Sequence, residues 1–158
     1  NRFELYNSNV RYDIARAVKH LWKKPLRGIL SAKAIYKLVG KEEFEHLLVG
    51  FERVHNISKK HISEHFDSAK FVEEEEKKLL QKYIEVKPLV LDAIKHLNFE
   101  NALEKLIELR PYIDEYFDKV FVMCEDEDLR MNRLGFLKNI DILFMEIGDL
   151  TLVEHSQN

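Results

Sequence analysis

Apolar residues recur at intervals of three and four along the first third of the chain, which is the spacing of amphipathic α-helices. The first such stripe predicts a helix that must end or kink before Pro25; its members are Val10, Ile14, Ala17, Val18 and Leu21. A short second helix is predicted around 31–39, stopping at Gly40. A third begins near Lys41, with a core face of Phe44, Leu47, Leu48, Phe51 and Val54.

The helical spacing continues to the end of the chain, interrupted at turn residues. Four glutamates, 73–76, suit the first turn of a fourth helix, where the helix dipole favours carboxylates, and we expect them to be solvated. The next pattern, 79–97, crosses Pro88, so a kink or two helices are expected there. Asn98 marks a break and Pro111 suits the first turn of a later helix. The last helix, 129–150, is the most hydrophobic and should be nearly surrounded by the others.

Only 120–123 alternates at the period of a strand, so the sequence predicts an all-α bundle of about six to eight helices. With 158 residues, 46% hydrophobic and 34% charged, the chain has the size and composition of one folded domain and not of a disordered one. Because the chain opens on Asn1 and not Met, we expect a piece of a longer protein. The expected parts are a lead-in at 1–9, the bundle at 10–153 and a tail at 154–158.

The compartment is predicted from what the sequence lacks. The longest apolar run, 120–124, is too short to span a membrane, and residues 1–20 lack the apolar core of a secretory signal. The single cysteine, Cys124, cannot form an internal disulfide and is expected to serve packing. These features predict a cytoplasmic protein without membrane partners.

Charge is distributed unevenly. Residues 1–60 carry 13 Lys and Arg against 6 Asp and Glu, whereas 61–158 carry 12 against 22, within a net charge of -3. The polar face of the first helix collects Tyr12, Arg16, Lys19, His20 and Lys23, and the outer face of the third carries Arg53, Asn56 and Lys60. An aromatic ring among cations can stack an unpaired base while the cations hold phosphates. RNA binding is therefore one interpretation, and a solvated amphipathic surface is the other.

Other polar motifs favour structural interpretations. The segment 61–65 fits the HxxEH pattern of one class of zinc peptidase, but in a chain with seven histidines we interpret it as solvated surface histidines. The five glycines are isolated, so no nucleotide-phosphate loop is present. Asn132 and Arg133 fall on the apolar stripe of the last helix and predict a structural polar cluster, with 125–128 as the expected partners. Arg130 points elsewhere.

A resemblance to a known family is carried by the stretch FDKVFVMCEDEDLRMNRLGFLKNIDILFMEIGDLTLV, residues 117–153. It resembles the C-terminal end of the β subunit of bacterial two-subunit glycyl-tRNA synthetases, and the resemblance extends upstream through ALEKLIELRPYIDEY and FERVHNISKK. It covers 44–153 closely and 10–43 more loosely. Glu127-Asp128-Leu129-Arg130 takes the position of the DALR signature, followed by matches at Asn132, Arg133 and Leu134. Phe144-Met145-Glu146 departs from the family, which favours Leu and Arg after the Phe.

The resemblance implies an all-α, DALR-type domain that binds the anticodon region of tRNA-Gly. It implies a larger glycine–tRNA ligase that uses ATP and Mg²⁺, with adenylate formation on a separate α subunit, so neither a catalytic residue, a metal ligand nor a cofactor is expected in this chain. Its expected partners are tRNA-Gly, the α subunit and the rest of the β subunit. Glycine anticodons share two adjacent cytosines, whose N4 amino groups can donate to a carboxylate or carbonyl.

The tRNA-binding residues predicted from the basic faces and the resemblance are Tyr12, Arg16, Lys19, Lys23, Arg53, Asn56, Lys60 and Arg130. Among these, Arg53, Asn56 and Lys60 match the corresponding helix of the family that the chain resembles, although Ser58 stands where that family usually has Leu. Two other functions remain open. One is a helical docking domain for synthetase assembly or another protein partner, without RNA contact, and the other is a zinc hydrolase that would hold a metal ion.

Overall fold

The structure, a computed structural model, describes residues 11–155. That part of the chain contains seven α-helices: α1 (Tyr12–Ala17), α2 (Pro25–Leu38), α3 (Glu42–Ser58), α4 (Glu74–Lys95), α5 (Phe99–Ile107), α6 (Arg110–Lys119) and α7 (Glu127–Met145). Short 3₁₀ turns occupy Lys19–Leu21, Ser68–Lys70 and Leu150–Leu152, and the described residues contain no strand. The predicted all-α bundle is confirmed.

Local sequence signals explain several helix boundaries. Pro25 and Pro111 lie in the first turns of α2 and α6, where a missing N–H costs nothing. Glu73 and Glu76 form a capping box at the start of α4, since each side chain accepts from the backbone N–H of the other. Asn98 caps α5 through the Asn101 N–H, at the predicted break.

Other boundaries differ from the sequence predictions. The first helix ends at Ala17 and continues as a 3₁₀ turn, so the predicted span to Leu21 is wrong; Val10 lies outside the described residues. The second helix starts at Pro25 and is therefore longer than 31–39. α4 runs without interruption through Pro88, so there are not two helices there. Residues 120–123 alternate between buried and exposed side chains but pair with no strand among the described residues.

The centre of the core is α7, as its hydrophobicity predicts. All side chains from Asn132 to Leu137 are buried. The Phe136 ring contacts four aromatic rings from other parts of the chain: Phe66, Phe71, Tyr83 and Tyr116. These contacts tie the segment after α3, helix α4 and helix α6 to one position of α7.

Helix α3 lies between α6 and α7. It is antiparallel to α7, because Phe51 stacks on Phe144 with 4.6 Å between ring centroids while His55 contacts Asp141 at 2.7 Å. It is parallel to α6, because three pairs follow the same order along both helices: Glu43 with Arg110, Gly50 with Ile113, and Arg53 with Phe117. The last turn of α3 therefore lies beside the C-terminal half of α7, and α6 approaches the middle of α7, where Tyr116 contacts Phe136.

The N-terminal part of the fold packs on the segment that follows α7. The Asp149 N–H donates to the Ala17 carbonyl at 2.7 Å, and the Ser31 hydroxyl donates to the Ile147 carbonyl. A Cβ at Gly148 would lie 3.1 Å from the Ala17 carbonyl oxygen, which explains a glycine at this close approach. None of the helices between residues 11 and 155 combines the length and the apolar character needed to cross a membrane.

Candidate nucleic-acid interface

The predicted residues of the first helix remain at the surface, but on two separate elements. Tyr12 is 66% exposed, and the Arg16 guanidinium lies 5.8 Å from the centroid of its ring. Lys19 and Lys23 lie beyond the end of α1, where Lys23 contacts the ring of Trp22 at 5.5 Å. Because the helix ends at Ala17, these residues do not share the continuous helical face that the sequence predicts.

Two residues of this region have positions that the sequence pattern did not predict. His20, placed on the basic face by sequence, has its Nε2 within 2.8 Å of the Met145 carbonyl and so belongs to the packing of the 3₁₀ turn on α7. Trp22, an apolar residue beside the basic side chains, is 60% exposed. We define the basic group of the N-terminal region as Tyr12, Arg16, Lys19, Trp22 and Lys23.

The three residues predicted on the third helix lie along the outer face of α3. Arg53 and Asn56 are exposed on the last turns of the helix, and Lys60 is exposed two residues beyond its end. Their spacing of three and four residues places them on one side of the helix. Among residues 11–155, none of the three side chains forms a hydrogen bond or an ion pair with the protein.

Arg53 has one specific contact, with an aromatic ring of the neighbouring helix α6. Its guanidinium carbon lies 4.4 Å from the centroid of the Phe117 ring, on α6. Phe117 is only half-buried, because one side of its ring packs on the bundle and Arg53 lies over the ring. The spacing of apolar residues along α6 does not show which residue of another helix lies over the Phe117 ring.

The segment at 154–155 lies between the N-terminal basic group and α3. The N-terminal basic group packs near the C-terminal end of α7, through His20 and Ala17, and the last turns of α3 lie beside the C-terminal half of α7, where His55 contacts Asp141. The Glu154 carbonyl accepts from Arg11, and His155 contacts Glu45 at 3.2 Å.

Arg130, in the position of the DALR arginine, is half-buried, and its guanidinium is hydrogen-bonded to main-chain carbonyls. Its Nη1 donates to the carbonyls of Cys124 at 3.0 Å and Glu125 at 3.4 Å, which closes the loop before α7. Asp128, which replaces the small residue of the signature, is exposed and pairs with Lys70 at 3.1 Å. The arginine therefore orders the start of α7 in this structure, and its predicted role in tRNA binding stays a prediction.

Asn132 and Arg133 are both buried and both hydrogen-bonded. The Arg133 Nε donates to Glu76 at 2.7 Å, and Nη1 donates to the Phe121 carbonyl at 2.8 Å. The expectation that 125–128 would supply the partner is wrong, as is the expectation that all of 73–76 would be solvated, because Glu76 is 1% exposed. Burial alone would lower the pKa of Arg133, but the hydrogen bond and charge of Glu76 outweigh it and raise the pKa, so the guanidinium stays charged.

Asn132 and Asn139 hold the segment after α3 along the surface of α7. Asn132 accepts from the Asp67 N–H at 2.7 Å and donates to its carbonyl at 3.1 Å, and Asn139 donates to the Glu64 carbonyl at 2.8 Å. A Cβ at Gly135, between them, would overlap the His65 carbonyl oxygen. The glycine and the two amides together let this segment lie directly on the helix.

The HxxEH segment lies in this irregular stretch, so its histidines are not one helical turn apart as the zinc motif requires. His61 and His65 border a shallow pocket of about 200 Å³ that Asp128 and Asn132 also line. Within residues 11–155, no three His, Cys, Asp or Glu side chains are grouped closely enough to hold a metal ion. Cys124 lies near Arg133, whose Nη1 is 3.5 Å from the sulfur.

Comparison with known proteins identifies the family of this chain. The family described as DALR anticodon binding domain matches residues 47–155, from the middle of α3 to the end of the described chain. The chain belongs to the DALR anticodon-binding domain family. The family match includes the α3 residues and Arg130, while the N-terminal basic group lies outside it.

Several proteins with curated names are similar to most of this chain. It is 62% identical to the glycine–tRNA ligase beta subunit of Thermotoga neapolitana over 150 residues, which is 95% of this chain and 22% of that protein. It is 38% identical to the same subunit of Sulfurihydrogenibium sp. over 96% of this chain and 23% of the relative. The subunit of Persephonella marina is 37% identical over 80% of this chain and 18% of its own length. The chain thus spans about a fifth of the length of these relatives.

Proposed function

We propose that this chain is the anticodon-binding part of a glycine–tRNA ligase β subunit and binds the anticodon region of tRNA-Gly. The observation that carries the proposal is the membership in the DALR anticodon-binding family, together with relatives named as that subunit. The assembled ligase attaches glycine to tRNA in the cytoplasm with ATP and Mg²⁺, on a separate α subunit. This chain supplies binding energy and no catalytic group.

The charge arrangement supports RNA as the partner. Arg16, Lys23, Arg53 and Lys60 are exposed and have no ion pair among the described residues, so their charges are available to phosphates. Many cations of the other half of the chain are already paired with carboxylates, as Lys82 is with Glu108 and Arg110 with Glu43. If the exposed cations without an ion pair bind phosphates, they release the counterions of the RNA, so the affinity for RNA depends on the salt concentration.

A salt titration of tRNA-Gly binding by the intact ligase tests this proposal. The variant Arg16→Gln, Lys23→Gln, Lys60→Gln should bind tRNA-Gly more weakly, with the slope of log affinity against log salt reduced by about one for each lost phosphate contact. The matched control replaces three exposed lysines of α4, Lys78, Lys87 and Lys95, by Gln and should keep the slope.

Equal slopes for wild type, variant and control would contradict the proposal. The alternative, a helical docking domain for subunit assembly, is favoured by exposed apolar side chains at the end of the bundle where α7 begins, such as Phe121 and Met123. It predicts that the basic variant leaves tRNA affinity unchanged, whereas Phe121→Ser combined with Met123→Ser shifts the ligase from assembled subunits to separated ones in sedimentation.

A further inference from the structure

Arg53 is held differently from Arg110, Arg130 and Arg133. Arg110 and Arg133 direct their N–H groups at carboxylates, and Arg130 directs its own at main-chain carbonyls. Arg53 instead places its guanidinium over the Phe117 ring at 4.4 Å, and no hydrogen bond or ion pair with residues 11–155 engages its edge. The looser pair of Arg16 and Tyr12 is at 5.8 Å.

The packing of α3 against α6 fixes this contact. The two helices run parallel, and Gly50, one turn before Arg53, packs beside Ile113, one turn before Phe117. Arg53 is exposed, and its guanidinium carbon lies 4.4 Å from the ring centroid, so the ring borders the group on one side while the side chain remains accessible to solvent. A cation–π contact restrains the flexible side chain and reduces the entropy lost when a ligand stacks on it.

The neighbours on α3 supply the remaining contacts that a nucleotide needs. Asn56 lies one turn along the same face with an amide that both donates and accepts, and Lys60 follows one turn later with a free ammonium group. At a helical rise of about 1.5 Å per residue, the backbone of Asn56 lies about 5 Å along the helix axis from that of Arg53, and Lys60 follows just beyond the end of the helix. An amide can read the edge of a base, and an ammonium can bind a phosphate.

We propose that Arg53, stacked on Phe117, is the platform for one unpaired base of the RNA, with Asn56 at the edge of that base and Lys60 on the adjoining backbone. The proposal rests on the proposed function and deepens it, because it assigns Arg53 to base stacking and not to phosphate neutralisation. Arginine planes stack unpaired bases, and such stacking tolerates any base.

The first test is the charge-conserving variant Arg53→Lys in the intact ligase. Lysine keeps the positive charge but lacks the planar face, so tRNA-Gly affinity should fall about tenfold, the loss expected for one stacked base, while the salt slope stays as in wild type. Phe117→Leu keeps the apolar volume, removes the ring under the guanidinium and should show the same pattern. The matched control on the same face, Lys60→Gln, should reduce the salt slope.

The decisive test combines Arg53→Lys with tRNA-Gly molecules that carry one abasic nucleotide in the anticodon loop. At the position of the stacked base, the losses from the variant and from the missing base should not add, because each removes the same contact. At other loop positions the losses should add. The melting temperature of each variant separates a loss of fold from a loss of contact.

Two results would overturn the platform. One is wild-type affinity for Arg53→Lys, and the other is additive losses at every loop position. If either result appears while Lys60→Gln still lowers the salt slope, the anticodon-binding proposal stands and only the stacking role fails. If no variant on α3 or in the N-terminal basic group changes tRNA binding, both proposals fail.

Discussion

The pair of Arg133 and Glu76 is the most deeply buried ion pair among residues 11–155. Glu76 is satisfied on both oxygens: one accepts from Arg133, and the other accepts from the Val72 and Glu73 N–H groups at 2.8 and 2.9 Å. The side chains are 7% and 1% exposed. A charge left alone in such a place is costly, because the protein interior cannot replace its hydration.

We predict that Arg133→Met lowers the free energy of unfolding by about 3–5 kcal/mol, because it leaves the Glu76 carboxylate buried without its partner. The double variant Arg133→Met, Glu76→Gln should recover part of that loss, since Gln keeps an acceptor for the two N–H groups without a charge. Urea unfolding of the four proteins of this cycle measures both values.

The control for this cycle is Lys105→Met, which breaks a more exposed pair with Glu108 at 3.3 Å and should cost less than about 1 kcal/mol. A cost for Arg133→Met no larger than that of the control would show that the buried pair does not stabilise the fold.

The burial of Arg133 could be predicted from sequence because it falls on the apolar stripe of its helix. The identity of its partner could not, since Glu76 is 57 residues away in the chain and stands in a run of four glutamates that look alike. The structure distinguishes them because only Glu76 lies on the face of α4 that turns towards α7; Glu74 is exposed.

At the scale of elements, helix α4 shows how packing can override a local signal. Pro88 has no N–H to give to the Ile84 carbonyl, and its ring crowds the preceding turn. The helix nevertheless continues from Glu74 to Lys95, since the core residues Val86, Val90, Ala93 and Ile94 lie along its buried side. Pro88 is exposed, so the disturbed turn faces solvent.

We predict that Pro88→Ala raises the free energy of unfolding by about 1–3 kcal/mol, because it restores the missing hydrogen bond and removes the crowding. Thermal unfolding followed by circular dichroism measures the change. The control Gln81→Ala, at an exposed position of the same helix, should change stability by less than about 0.5 kcal/mol. A destabilised Pro88→Ala protein would mean that the proline shapes α4 for packing.

At the scale of the whole molecule, the two ends of the described chain are joined through Asp13. Its carboxylate is buried, accepts from Arg11 at 3.1 and 2.7 Å, and accepts from the Glu154 N–H at 2.7 Å. Asp13 and Glu154 are 141 residues apart in sequence. Their hydrogen bond holds the N-terminal basic group against the segment that follows α7.

We predict that Asp13→Ala increases hydrogen exchange at the Glu154 amide and across Leu150–Leu152 while the amides of α7 stay protected, since only the junction of the chain ends loses its bonds. Asp13→Asn keeps an acceptor for Glu154 and should show a smaller increase. Unchanged exchange at Glu154 in the alanine variant would contradict a stabilising role for this junction.

The sequence by itself determined the helical class, most helix positions and the family, because periodic apolar spacing, caps and a long signature are local properties of the chain. It also placed Arg53, Asn56 and Lys60 on one helix face. Only the tertiary structure decided that Arg53 lies over Phe117, that Glu76 binds Arg133, and that the N-terminal basic group lies at the C-terminal end of α7. Helix periodicity states which face is buried, whereas the neighbour that covers it depends on how distant helices pack.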